Sequence, residues 1–143
     1  MNDSESRPLV CRGVRGATTV TENSREAILE ATRDLLKKMV IANAIEHEDI
    51  ASVFFTTTAD VNAEYPALAA RQLGWHDVAL MCGHEMVVPH GLQNCIRVLI
   101  HWNTTRKSSE IQHVYIRDAV ALRPDRSIQL VQDPFDTFEK EEF

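Results

Sequence analysis

One long amphipathic helix set among several apolar extended stretches is the feature that most constrains the fold of this chain. Asn23 and Glu26 have the spacing of a capping box, which predicts that a helix begins there. Apolar residues then recur at helical intervals as far as Asn43, namely Ile28, Leu29, Leu35, Leu36, Met39 and Val40. A shorter helix is predicted from Pro66 to Leu73, closed by Gly74.

Extended stretches make up most of the remaining pattern. Ala51 to Thr58 is apolar on both faces, which predicts a central strand. The other predicted strands are Leu9 to Arg15, stopping at Gly16, then Val78 to Cys82, Cys95 to Trp102 and His113 to Ile116, with Val120 to Leu122 as a sixth strand or an irregular segment. The order predicts an α+β fold, a mixed β-sheet with one long amphipathic helix and a short helix.

Such a sheet has more apolar surface than its helices can cover. A single long helix covers one face of a sheet, so the other face needs a second covering layer. With strands this apolar, another copy of the same chain is the simplest covering. We therefore expect an oligomer, although the number of subunits does not follow from this argument.

Size and charge narrow the possible functions. The chain has 143 residues, which fits one globular domain. We expect a flexible N-terminal extension over residues 1–8, a domain over residues 9–130 and an acidic C-terminal tail over residues 131–143. The net charge is −6, to which Asp133 to Phe143 contributes five acids and one Lys. The body is about neutral and lacks a basic cluster, so nucleic acid is not an expected partner.

The cysteines and the hydropathy pattern indicate a cytoplasmic protein. Cys11, Cys82 and Cys95 are odd in number and have no C-x-x-C spacing, so neither a disulfide framework nor a zinc knuckle is indicated. The N-terminal residues lack the pattern of a secretory signal. No run approaches the roughly 18 apolar residues that span a membrane, and a membrane is not an expected partner.

Several arginines occur in unusual surroundings. Arg97 lies in Cys-Ile-Arg-Val-Leu-Ile, where both faces of the predicted strand are apolar. A guanidinium keeps its proton, and an unpaired buried charge is costly, so Arg97 is expected to bind an anion. Arg15 lies near glycines that let a ligand approach the backbone. Arg71 and Arg123 are further cations that could reach the same place, and Glu85 is the obvious internal partner.

Other chemistries lack their motifs. His84 and Glu85 begin like a zinc-protease motif, but Val88 stands where the second His is required, so we predict no metal site. There is no G-x-S-x-G, no G-x-G-x-x-G and no P-loop. Permanent cations, one carboxylate, a thiol and Tyr115 remain, which suits a small polyanion bound by shape and charge. The residues alone do not decide between an enzyme and a binding module.

The motifs that contain these residues resemble those of a known family. They are R-G-V-R-G-A-T-T-V (12–20), Y-P-A-L-A-A-R (65–71), G-W (74–75), C-G-H-E-M (82–86), G-L-Q-N-C-I-R-V (91–98) and H-V-Y-I-R-D-A-V-A-L-R-P-D (113–125). In this order and spacing they resemble the trimeric, monofunctional chorismate mutases of the AroH class, the α/β kind. The resemblance runs from Arg12 to about Asp125.

The resemblance implies an isomerase of aromatic amino acid biosynthesis. It would convert chorismate to prephenate by a pericyclic Claisen rearrangement, with no cofactor, no metal and no covalent or acid-base step. The implied assembly is a pseudo-barrel-like homotrimer with each active site between two subunits. Such an enzyme must hold a flexible dicarboxylate in its reactive conformer and stabilise growing negative charge, and both tasks suit Arg side chains.

Roles for individual residues also follow from the resemblance. Arg97 would donate to the ether oxygen, Arg15 and Tyr115 would bind carboxylate oxygens, and Glu85 would accept from the ring hydroxyl with Cys82 nearby. The remaining implied substrate-binding residues are Tyr65, Ala67, Arg71, Met81, Leu122 and Arg123. Tyr65, Ala67, Arg71, Leu122 and Arg123 would come from one chain, and Arg15, Cys82, Glu85, Arg97 and Tyr115 largely from the next.

Two other functions fit the same set of candidate site residues. A trimeric imine or enamine deaminase also uses clefts between α+β subunits and a carboxylate-binding Arg, but it would activate water and release ammonia. A carboxylate-sensing module would bind a diacid without consuming it.

Leu68 and Met81 depart from residues common in the family, and these two differences bear on the affinity for substrate.

Overall fold

A computed structural model describes residues 7–123 of the chain. The expected acidic tail, the last residues of the expected domain and most of the expected N-terminal extension lie outside this range. Of that extension, Arg7 and Pro8 are described, and Arg7 Nη1 donates to Glu110 Oε1 at 2.6 Å.

In the part of the chain that the structure describes, five strands and two α-helices form an α+β architecture. The elements are β1 (Val10–Thr19), α1 (Arg25–Asn43), β2 (Ile50–Thr57), α2 (Ala67–Gln72), β3 (Ala79–His84), β4 (Cys95–Thr104) and β5 (Val114–Tyr115), with short 3₁₀ helices at His47–Asp49, Ser108–Glu110 and Arg117–Leu122. The predicted fold class is confirmed. The segment Val120 to Leu122 belongs to the last 3₁₀ helix and is not a strand.

The strands form one mixed sheet in the order β3-β2-β4-β1-β5. β4 pairs antiparallel with both β1 and β2, whereas β3 pairs parallel with β2 and β5 parallel with β1. β2 is therefore an interior strand, as its apolar pattern predicted. The β1–β4 register runs unbroken from the Val10–Thr104 pair to the Thr19–Cys95 pair.

The long helix begins one residue later than its predicted cap. Ser24 is the N-cap, and its hydroxyl accepts a hydrogen bond from the Ala27 N–H at 3.2 Å. The Asn23 side chain instead accepts from the backbone N–H groups of Asn62 and Ala63. Two adjacent residues with good capping side chains were available, and the contact with the 62–63 loop decides between them.

The first strand does not stop at Gly16, as the sequence predicted, but continues to Thr19. A side chain at Gly16 would overlap the Met39 sulfur, so this glycine lets α1 pack closely against the sheet. Here the glycine marks a close approach between backbone and helix instead of a strand end.

Both helices pack on the same face of the sheet. Leu35, Leu36 and Met39 of α1 and Ala67 and Ala70 of α2 form one buried cluster with the inward-facing strand residues Val14, Val53, Phe55, Val98 and Ile100. The alternate strand residues point to the opposite face, where Phe54 is 45% exposed and Met81 is 64% exposed. Within residues 7–123, the two α-helices therefore leave one face of the sheet uncovered, as expected.

Candidate active site

A cleft of about 490 Å³ opens on the uncovered face of the sheet, over β1, β2 and β4. It is lined by Arg15, Gly16, Ala17, Phe54, Thr56, Glu85, Arg97, Val98, Leu99, Tyr115, Leu122 and Arg123. Six of the residues predicted from the family resemblance are therefore in one cleft: Arg15, Glu85, Arg97, Tyr115, Leu122 and Arg123.

Strand alternation and register bring these side chains together. Arg15 pairs with Leu99 across β1 and β4, and Ala17 pairs with Arg97 two residues further on. Residues two apart on a strand share a face, so both guanidinium groups lie on the cleft side. Tyr115 enters because β5 pairs with β1 opposite Ala17. The 3₁₀ helix Arg117–Leu122 then carries Leu122 and Arg123 to the cleft wall.

Arg97 faces Glu85 across this cleft. Arg97 Nε lies 3.6 Å from Glu85 Oε2, and the Arg97 side chain is 46% exposed. The sequence argument that Arg97 is a buried charge is therefore wrong within one chain. Its strand neighbours are apolar because they alternate between the helix-covered core and an open sheet face, and Arg97 belongs to the open face. The guanidinium is accessible to an anionic ligand.

The Glu85 carboxylate has a second partner that sequence reasoning missed. The Thr56 hydroxyl donates to Glu85 Oε2, and the Glu85 backbone N–H donates to the Thr57 carbonyl at 2.8 Å. Thr56 pairs with Arg97 across β2 and β4. Only the strand register reveals this placement, because nothing in the local sequence around Thr56 signals a functional residue.

Cys95 and Tyr115 form part of the cleft's support. Both are buried and cluster with Ala17 and Ala119. Burial raises the pKa of the Cys95 thiol to about 11, although the nearby Arg97 charge acts in the opposite direction. A thiol with this pKa stays protonated at neutral pH, which does not suit a nucleophile.

The other predicted site residues do not line this cleft. Cys82 packs against the helix-covered core, and its pKa is raised by burial and lowered in smaller measure by a backbone hydrogen bond with Ala67 and the charge of Arg71. Met81 is exposed on the opposite face of β3, and Tyr65, just before α2, is 72% exposed. β3 is an edge strand of the described sheet. We therefore call these five residues the β3-edge group: Tyr65, Ala67, Arg71, Met81 and Cys82.

Within one chain, the grouping of these residues differs from the predicted one. Leu122 and Arg123 were expected beside Tyr65, but they line the same cleft as Arg15. Cys82 was expected beside Glu85, but it lies near Ala67 and Arg71. Order along the chain does not give the face to which each side chain points, which is why the grouping within one chain differs.

A second depression of about 500 Å³ lies at the start of α1. Its lining includes Glu22, Glu26, Glu30 and Arg117, and the Arg117 guanidinium is already engaged by Asp34 and Thr18. The sequence did not single out this surface, and it contains none of the predicted site residues.

Metal-ligating side chains do not converge within residues 7–123: no three His, Cys, Asp or Glu side chains there lie close enough together to hold an ion. None of the helices in the same range is both long enough and apolar enough to cross a membrane.

Comparison with known proteins gives consistent matches. The family described as "Chorismate mutase type I" matches residues 11–126. "Chorismate mutase AroH" of Thermus thermophilus is 51% identical over 115 residues, which are 80% of this chain and 94% of that protein. "Chorismate mutase AroH" of Bacillus subtilis (strain 168) is 41% identical over 121 residues, 84% of this chain and 95% of that protein.

A solved structure is similar over the same region. It is a chorismate mutase from Clostridium thermocellum, and it matches with a TM-score of 0.76 and 45% sequence identity. The match covers 77% of this chain and 98% of that chain.

Proposed function

The chain belongs to the type I chorismate mutase family, and we propose that its cleft holds chorismate while the substrate rearranges to prephenate. As a chorismate mutase it is an isomerase of aromatic amino acid biosynthesis. The relatives give no support to the alternative of an imine or enamine deaminase.

The convergence of Arg15 and Arg97 on one cleft is the observation that supports this proposal most strongly. The reaction breaks an ether C–O bond and forms a C–C bond within one molecule, so no group has to be transferred to the protein. Two fixed guanidinium groups can bind the carboxylates of a flexible diacid and hold it in its compact reactive conformer. The protein thereby removes much of the entropic part of the barrier.

Arg97 is proposed as the main catalytic residue. It donates to the ether oxygen, where negative charge grows as the C–O bond breaks, and this interaction is stronger in the transition state than in the ground state. Its exposed guanidinium is accessible from the cleft. Tyr115 and Arg15 bind carboxylate oxygens on the β1 side of the cleft.

Glu85 acts by hydrogen bonding and charge. Its carboxylate accepts a hydrogen bond from the ring hydroxyl of the substrate. Its negative charge also stabilises the partial positive charge that develops in the allyl fragment. Leu122 and Arg123 form the wall of the cleft. We propose no covalent step, no proton transfer, no cofactor and no metal.

We further propose that the complete site lies between copies in a cytoplasmic homotrimer. The uncovered sheet face exposes Phe54 and Met81, and burial of apolar surface favours its covering by another copy. The β3-edge group lies outside the cleft of its own chain, so a neighbouring copy would supply Tyr65, Arg71 and Met81. The molar mass of the protein in solution, measured by sedimentation equilibrium, tests the number of subunits.

Mixed assemblies test whether two copies share a site. Arg97→Met removes a residue from the cleft, and Arg71→Met removes one from the β3-edge group. If neighbouring copies build each site, mixed trimers of these two inactive variants contain some sites with both arginines, and activity returns on mixing. Lack of any recovery after subunit exchange would place the whole site within one chain.

The direct test follows the loss of chorismate absorbance with pure protein in the presence of a chelator. We expect prephenate to form at an undiminished rate, because the proposed mechanism uses only side chains. Release of ammonia would instead support the deaminase. Saturable binding of chorismate without its disappearance would identify a carboxylate-sensing module.

A further inference from the structure

Thr56 lines the cleft, yet the mechanism above gives it no role. It pairs with Arg97 across β2 and β4, and its hydroxyl donates to Glu85 Oε2. We propose that Thr56 is a positioning residue, which holds the Glu85 carboxylate beside Arg97 without letting the two close into a direct hydrogen-bonded pair. This inference rests on the proposed function.

The distances across the cleft support this role. An Arg–carboxylate hydrogen bond normally measures about 2.7–2.9 Å and is often bidentate. Arg97 Nε and Glu85 Oε2 are 3.6 Å apart, which leaves an ion pair without a normal hydrogen bond. The same Oε2 accepts from the Thr56 hydroxyl. The Thr56 hydroxyl thus ties this oxygen to β2 and restrains its approach to Arg97.

The backbone limits how far Glu85 can move. Its N–H donates to the Thr57 carbonyl at 2.8 Å, which anchors the residue just beyond the end of β3. Rotation of the side chain is the freedom that remains, and the Thr56 hydroxyl restrains it. Both anchors come from adjacent residues of β2, so the position of the carboxylate follows the position of that strand.

This restraint matters because Glu85 and Arg97 have separate tasks. If the carboxylate closed on the guanidinium, it would occupy N–H groups that the substrate needs. Ordering the carboxylate before substrate binds also removes a reorganisation cost from the chemical step. Loss of the Thr56 hydroxyl should therefore lower kcat more than it changes KM.

Two substitutions at position 56 separate the effect of the hydroxyl from the effect of the side-chain shape. Thr56→Val removes the hydroxyl and keeps the branched shape, whereas Thr56→Ser keeps the hydroxyl. We expect kcat for chorismate to fall about tenfold to a hundredfold in Thr56→Val, as for loss of a hydrogen bond to a charged group. Thr56→Ser should stay within about threefold of wild type. Thr56→Ala provides a second variant without the hydroxyl if Thr56→Val folds poorly.

A matched control and a double-mutant cycle test whether the effect passes through Glu85. Thr105→Val makes the same change just after β4, at a half-buried residue outside the cleft, and should leave kcat unchanged. In a Glu85→Ala background, Thr56→Val should have little further effect, because coupled residues are not additive. A full additional loss there, or equal losses in Thr56→Ser and Thr56→Val, would overturn the proposal.

An NMR measurement keeps this inference separate from the proposed function. The Arg97 Nε–Hε resonance should shift in Thr56→Val as the carboxylate approaches, and should not shift in Thr56→Ser. An unchanged resonance in Thr56→Val would overturn the positioning role whatever the activity. A shifted resonance in a protein whose wild type does not convert chorismate would support the positioning role while the proposed function failed.

Discussion

Arg117 Nη2 lies 3.0 Å from Asp34 Oδ2, and this ion pair joins the last 3₁₀ helix to α1. Arg117 also donates to the Thr18 hydroxyl at 2.8 Å. Its φ of 52° is in the left-handed region, which costs a non-glycine residue roughly 1–2 kcal/mol. These contacts offset that cost and fix the direction of the helix that carries Leu122 and Arg123 to the cleft.

Asp34→Ala should lower the free energy of unfolding by about 3 kcal/mol, because the nearly buried Asp34 carboxylate pairs with Arg117 and also with the nearly buried Lys38 ammonium, 3.7 Å away. Urea denaturation measures the change. Glu30→Ala is the control: Glu30 is exposed one turn earlier on α1, and its loss should cost less than about 0.5 kcal/mol. Equal effects of the two substitutions would show that the ion pair is not important for stability.

Arg97→Met should remove on the order of 3 kcal/mol or more of transition-state stabilisation, by analogy with the loss of one oxyanion donor. The decrease should appear in kcat more than in KM, and steady-state kinetics with chorismate separate the two. Arg25→Met changes an exposed arginine paired with Glu64 at the surface and should leave both constants unchanged. Intact kcat with weaker binding in Arg97→Met would contradict the role assigned to it.

Glu85→Gln should reduce kcat less than Glu85→Ala does. The amide oxygen can still accept from the Thr56 hydroxyl, which donates to Glu85 in the native chain. One retained hydrogen bond corresponds to a difference of about fivefold or more between the two variants. Equal losses measured for Gln and Ala would mean that charge alone matters at this position.

Cys95 should resist thiol reagents in the native protein. Its side chain is buried, and burial raises its pKa from 9.0 to about 11. At pH 8 a disulfide reagent such as Ellman's reagent should modify it only after denaturation, and Cys95→Ala should remove this slow thiol. Rapid modification of the folded protein at Cys95 would contradict the burial.

The raised pKa of the Cys95 thiol also predicts a loss of stability at high pH. The folded state favours the protonated thiol, so its contribution to stability is complete below pH 9 and is lost as the pH rises towards about 11. Unfolding measurements across this interval should show a decrease that is smaller in Cys95→Ala. A decrease of the same size in that variant would assign the effect to other groups.

The sequence predicted most elements but not how they combine. The periodic spacing of apolar residues predicted α1 and the interior position of β2, because both features are visible in the local sequence. Which face of β4 is covered depends on distant helices, so the apolar neighbours of Arg97 gave a false expectation of burial. The choice of Ser24 over Asn23 as the cap likewise depended on a loop some 40 residues away.

The candidate site shows the same limit. Arg15, Glu85, Arg97 and Tyr115 were named from motifs, and the structure brings them into one cleft. Thr56 could not be named, because its importance depends on being opposite Arg97 in a non-local strand pairing. Cys82 packs away from this cleft within one chain, since alternation along β3 turns its side chain towards the core.

The unbroken pairing of β1 with β4 sets limits on how this enzyme can be redesigned. Inserting or deleting one residue between Arg97 and the end of β4 would turn one set of side chains to the opposite face, because strand alternation has a period of two. Length changes intended to reshape substrate selectivity should therefore be confined to the segment 86–94, between β3 and β4. There the loop can grow while both guanidinium groups keep their spacing.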